Sequence, residues 1–127
     1  RVDDSVCAVR SALQEGIVAG GGLLLDSLSK EIKGKTTASK IIKETLEAPL
    51  QQILLNAGLD KKDIYEEELP KNYGYNVVNG KYGDMFKMGV VDPAKVTIQA
   101  LSNAISVATT ILTTNAIVTH ARIHTDA

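Results

Sequence analysis

Residues 15–28 read EGIVAGGGLLLDSL, and the fold turns on the three consecutive glycines Gly20, Gly21 and Gly22. A backbone stripped of side chains at one point lets something come close, commonly a phosphate or a second stretch of backbone. The flanks say what the glycines separate. Upstream, Val2, Val6, Val9, Leu13 and Ile17 recur at helical spacing, with Asp3, Asp4, Arg10 and Gln14 largely between them. That is an amphipathic helix, ended by Gly16 or by the glycine run. Downstream, Leu23, Leu24, Leu25 and Leu28 open a second, buried helix that stops near Gly34.

Further along, GKTTASK lacks the upstream glycine and preceding strand of a phosphate loop, and reads as a helix start capped by Thr36 or Thr37. Ala38, Ile41, Ile42, Leu46, Leu50, Ile53 and Leu54 carry a third helical pattern. Pro49 lacks an N–H and clashes with the preceding turn, so two helices are expected to meet there, the second closed by Gly58. LDKKDIYEEELP is charged and reads as a short surface helix or loop. Tyr73, Tyr75, Val77 and Val78 flank Asn79-Gly80, a strong hairpin signal, and Val90-Val91 suggests another short strand. Asp92-Pro93 then reads as an N-cap and first helical residue, opening a helix of about five turns. NAIVTHARI, with apolar residues on both faces, reads as a strand whose partner lies outside this chain.

Composition narrows the function. The 127 residues carry a formal net charge of -1, which gives no electrostatic case for nucleic acid or an anionic membrane. Aromatics are 4% with no Trp, so there is no stacking platform for single-stranded bases. The single Cys7 excludes an intrachain disulfide and a Cys-rich zinc site, and reads as a small buried apolar residue. His120 and His124 fall on an expected strand or tail, where that spacing shares no face, so no metal site is expected. The opening RVDD has no initiator Met and no signal-peptide pattern, and suggests a fragment or a processed product.

Three segments now stand together in order: RVDDSVCAVRSALQEGIVAGGG, NYGYN followed by YGDM, and GVVDPAKVT. This combination resembles the type I chaperonins, the GroEL-like ring chaperones of bacteria, mitochondria and plastids. The likeness implies a mainly α fold: the C-terminal half of an equatorial, ATPase domain, residues 1–127, with a small β-hairpin and a C-terminal edge strand. Apical and intermediate domains are absent from this sequence. The implied activity is ATP hydrolysis coupled to protein folding in a homo-oligomeric ring. Co-chaperonin and unfolded polypeptides would bind through the absent domains, and the magnesium ligand would come mainly from the absent half. A cytoplasmic location is implied, with a mitochondrial or plastid matrix as the alternative.

The resemblance also implies roles for single residues. Alone, Asp4 is a carboxylate favoured by the helix dipole; the likeness makes it the catalytic residue that orients the water attacking the γ-phosphate. Gly21 would let backbone lie against the nucleotide. Asn76, Val77, Val78 and Val90 would line the adenine, although the valines alone read as hairpin core. Asp92 would hold the ribose hydroxyls while capping its helix. The chain departs from the pattern at Gln51, where bacterial members carry Arg, and in the shorter LDKKDIYEEELPK region. Two other readings compete. One is a helical assembly module that has kept the fold and lost the ATPase. The other, an independent nucleotide-binding enzyme, is disfavoured because no complete phosphate loop is present.

Overall fold

The computed structural model describes residues 1–65 and 69–118. Helix α1 (Val2–Glu15) stops at Gly16, whose φ of +83° is open to glycine and whose N–H still reaches Ala12 O at 2.8 Å. The chain then does something the helical spacing hid. Ile17 belongs to no helix; with Val18 and Ala19 it forms strand β1 (Ile17–Ala19). Two β-branched residues between glycines favour an extended backbone once a partner exists. That partner is β4 (Val91–Pro93), antiparallel, with Ile17 opposite Pro93, Val18 opposite Asp92 and Ala19 opposite Val91.

Helix α2 (Leu23–Glu31) starts directly after the glycine run and buries Leu23, Asp26 and Ser29. Helix α3 (Thr37–Asn56) begins where expected, with Thr36 Oγ1 accepting the Ser39 N–H at 3.2 Å. It does not break at Pro49. One helix runs through, because Leu46, Leu50 and Leu54 form a single buried stripe on both sides of the proline and hold both halves against α2. Gly58, at φ +74°, follows its end. The charged segment supplies α4 (Lys61–Ile64), capped by Asp60 Oδ1 on the Lys62 N–H at 2.8 Å.

The hairpin pairs β2 (Tyr73–Asn76) with β3 (Lys81–Asp84), but its loop is residues 77–80 and not the two-residue Asn79-Gly80 turn. Asn76 causes the difference. Its Oδ1 accepts the Val78 N–H at 3.0 Å, and its backbone O accepts the Gly80 N–H at 2.9 Å, so the chain turns before Val77. Val77 and Val78 are therefore not hairpin core, and Val78 is 91% exposed. Residues of β1, α2 and the segment after β3 make a small core of Ala19, Leu23 and Met85, flanked by Tyr65, Met88 and Val90.

Arg1–Thr97 forms one compact unit, and a second begins at Ile98, within helix α5 (Ala94–Leu112). In that second unit Thr109, Thr110, Thr113 and Thr114 each donate to the carbonyl four residues back, at 2.6–3.0 Å, which lets a Thr-rich helix satisfy its hydroxyls. Asp92 is not the N-cap of α5. It lies in β4, and the helix opens at Ala94, whose N–H instead donates to Gly16 O at 3.1 Å. Cys7 is exposed on α1 and not buried, because the apolar stripe of that helix is itself uncovered among the described residues: Leu13 is 83% exposed. Of the expected C-terminal strand, residues 115–118 are irregular; the remainder of that expectation, with both histidines, lies outside the described residues.

Candidate functional site

The glycine run divides its labour. The Gly20 N–H donates to Val90 O at 3.0 Å, and a Cβ there would stand 3.1 Å from the Val90 and Val91 backbone. A Cβ on Gly22 would stand 2.7 Å from Leu50 N. Both outer glycines are thus pressed by a second backbone, β4 on one side and α3 on the other. Gly21 differs. Its φ is +68°, and a Cβ would meet only the Met85 methyl at 3.4 Å and a Val90 methyl at 3.9 Å. Among the described residues the N–H groups of Gly21 and Gly22 donate to no protein acceptor. They sit at the N-terminus of α2, the positive end of its dipole.

The β1–β4 pair brings three of the expected site residues together. Val90 lies against Gly20 and Gly21, and two residues on, Asp92 stands exposed opposite Val18. The hairpin is fixed to the same place from the other side: Gly74 has no Cβ because Leu23 Cδ2 and Met85 Cε would be only 3.2 Å from it. Asn76 spends its Oδ1 on the turn, which leaves its amide NH₂ as a free donor among the described residues. Asp4 stands apart. It is exposed in the first turn of α1, roughly three turns from the Gly16 end that meets β4.

Sequence reasoning missed the most buried charge. Asp26 is 1% exposed, and its Oδ1 accepts from Lys61 Nζ. Lys61 also donates to Glu47 Oε2 at 3.1 Å, and Ser29 Oγ lies 3.2 Å from Glu47 Oε1. Asp26 Oδ2 accepts no hydrogen bond and has Lys30 Nζ at 3.4 Å. One network thus ties α2, α3 and α4. Desolvation works against the Lys61 charge, but its hydrogen bonds and attraction to the Asp26 and Glu47 carboxylates outweigh it and raise its pKa. Burial raises the Tyr65 phenol as well. The one available signal was the acid inside LLLDSL: an Asp in step with Leu23 on a buried face needs a cation. A cleft of about 430 Å³ opens beside this network, lined by Glu47, Gln51, Leu55, Asp60, Lys61, Lys62 and Tyr65, and includes none of the expected site residues.

Residues 1–122 match the model of the TCP-1/cpn60 chaperonin family. The chain belongs to that family. Among solved structures, the chaperonin chain is similar to that of a group III chaperonin crystallised in the open state, with a TM-score of 0.72 and 28% identity. The match covers 85% of this chain and 25% of that one, so the chaperonin sequence described here spans about a quarter of that relative. Among the described residues of this chaperonin, no group of three or more His, Cys, Asp or Glu side chains is placed to hold a metal ion.

Proposed function

We propose that this chain is the C-terminal half of the equatorial domain of an ATP-dependent chaperonin of the type I kind, and that it supplies half of an ATP site and part of the ring contacts. One observation carries the reading: Val90 lies against Gly21 at the start of α2, where two backbone N–H groups are unused among the described residues, and two residues on the β1–β4 pair holds an exposed Asp92 opposite Val18. These groups suit a nucleotide. Asp92 offers acceptors to the ribose hydroxyls, while the free Asn76 amide and the exposed Val78 suit the adenine. In this reading the γ-phosphate lies at Asp4, the carboxylate that the resemblance singles out. There the carboxylate orients the attacking water; phosphoryl transfer needs a placed nucleophile more than a strong base. Magnesium, held mainly by residues outside this chain, supplies charge neutralisation when bound. Homologous subunits, a co-chaperonin and unfolded polypeptides are the proposed partners, in a cytoplasmic compartment.

The uncovered stripe of α1 favours a second reading, an assembly module without ATPase activity. Asp4→Ala in the full-length subunit separates the two. ATP affinity should stay within a few-fold of wild type, and turnover should fall by about 10²-fold or more. Unchanged turnover removes Asp4 from catalysis. Failure of the wild-type subunit to bind ATP leaves the assembly reading.

A further inference from the structure

Two short strands joined by a loop are marginal alone, so whatever holds the β2–β3 hairpin also holds residues 76–78. Part of that hold comes from α4. Tyr65 Oη accepts the Tyr75 N–H at 3.1 Å, on the outer edge of β2, where no third strand lies among the described residues. In the opposite sense, Tyr82 Oη donates to Ile64 O at 2.7 Å. Tyr75 and Tyr82 are cross-strand partners whose rings meet edge to face, with centroids 5.0 Å apart. The hairpin is thus stitched to the end of α4 by two hydrogen bonds running in opposite directions.

The anchor at the other end is firm. Lys61, the first residue of α4, is pinned by Asp26 of α2 and Glu47 of α3, and Tyr65 packs against the Ala19, Leu23 and Met85 core. A continuous path therefore runs from α2, which begins beside the free Gly21 and Gly22 N–H groups, through Asp26, Lys61 and Tyr65 to Tyr75. The next residue is Asn76. The Tyr65 ring is fixed by packing on that core; its hydroxyl fixes the height of β2 against it.

We infer that Tyr65 is a positioning residue for nucleotide binding: it sets residues 76–78, the base-binding loop, relative to the start of α2. The inference rests on the ATP-site reading given above. A contact at the base end is shared by ATP and ADP and is remote from the γ-phosphate, so it should act on affinity and not on the chemical step.

The test is Tyr65→Phe in the full-length subunit. Phe keeps the packed ring and removes only the acceptor of the Tyr75 N–H. Four quantities are measured: affinity for ATP and for ADP by calorimetry, KM and kcat for hydrolysis, melting temperature, and hydrogen exchange at the Tyr75 amide. The expected result is faster Tyr75 exchange, with ATP and ADP both weakened roughly three- to tenfold, the range for loss of one hydrogen bond. KM should rise by the same factor, kcat should stay within about twofold, and melting should be nearly unchanged. Faster exchange with unchanged affinity would overturn the inference, because the bond would then hold the strand without placing the loop. A joint fall in melting temperature, affinity and kcat would overturn it too, making Tyr65 a packing residue only. A wild-type subunit that binds no ATP would fail the underlying reading first, and that result is visible before any variant is made.

Discussion

Alanine at each of Gly16, Gly21 and Gly22 separates the two uses of the glycine run. All three have positive φ, at +83°, +68° and +78°; Gly22, with ψ near 0°, is left-handed and its Ala carries a penalty of about 1–2 kcal/mol, whereas Gly16, at ψ −170°, sits in a region open essentially to glycine alone and its Ala carries about 1–3 kcal/mol. The surroundings differ. A Cβ at Gly16 meets nothing within 4 Å, and at Gly21 it meets the flexible end of Met85 at 3.4 Å. At Gly22 it stands 2.7 Å from Leu50 N and 3.2 Å from Pro49 C, both backbone atoms in mid-helix that cannot rotate away. Reaching ordinary contact at 3.4 Å means parting α2 from α3 by 3.4 − 2.7, about 0.7 Å. That movement loosens Leu46, Leu50 and Leu54 along the same stripe, at a cost typical of overpacking, about 1–3 kcal/mol. Gly22→Ala should therefore lose roughly 2–5 kcal/mol in total and Gly16→Ala about 1–3, and only the former should loosen α3. Urea unfolding of the full-length subunit gives the ranking, and hydrogen exchange at the Leu50 and Leu54 amides assigns the loss to the α2–α3 contact. Gly21→Ala should leave exchange in α3 unchanged but bind ATP more weakly. A Gly22→Ala variant no less stable than Gly16→Ala, with unchanged exchange in α3, would refute the close approach on which the division of labour rests.

Other outcomes follow from the same structure. Asp26→Ala should cost about 2–4 kcal/mol, somewhat below a fully buried pair because Lys61 keeps 20% of its side chain exposed, and Asp26→Leu with Lys61→Met should recover most of it; a double-mutant cycle in urea measures both. Lys61 and Tyr65 both have folded pKa values raised above their ordinary 10.5 and 10.0. Their contribution is fully present below about pH 10 and is lost as pH rises through the folded values, so melting should fall in that alkaline window and fall less in a Lys61→Met, Tyr65→Phe double variant. Asp92→Ala should weaken ATP binding in calorimetry yet change unfolding by no more than about 0.5 kcal/mol, since Asp92 is not a cap; a loss of 1–2 kcal/mol would restore the capping role.

What could be read from the sequence was what local chemistry decides. Thr36 as a cap, Gly16 as a stop, Leu23 as the start of a helix, though one that buries Leu23, Asp26 and Ser29 and leaves Leu28 exposed, and Asn79-Gly80 as part of a turn each depend on a few neighbouring residues. What escaped depends on residues far away in the chain. Ile17 fitted a helical spacing and became a strand because Pro93 lies opposite it. Pro49 argued for a break, yet the leucines around it share one partner helix, and packing outweighed the missing hydrogen bond. Asp92 and Pro93 make a good capping pair on paper, but the β1 partner drew them into a strand first. The Asp26–Lys61 pair joins residues 35 apart with no motif to announce it. Among the site residues, resemblance pointed to positions; only the strand pairing explained why Val90 lies against Gly21 and Asp92 stands opposite Val18.

The glycine run thus has two causes that periodicity cannot separate. Gly20 and Gly22 are small because other backbone presses on them, and this holds with or without any ligand. Gly21, between them, is small where no backbone presses, and its left-handed conformation turns the chain into α2 with its N–H unused. Packing on either side makes the middle residue rigid. A rigid loop with free donors at a helix N-terminus loses little entropy when an anionic or hydroxyl-rich ligand arrives. In the proposed ATP site the outer glycines would serve the nucleotide indirectly, by fixing the backbone that Gly21 presents. The same holds for the hairpin, where Tyr65 fixes a strand so that the loop beyond it is already in place. In both halves of the site the packing comes first, and the groups proposed to bind are the ones it leaves over.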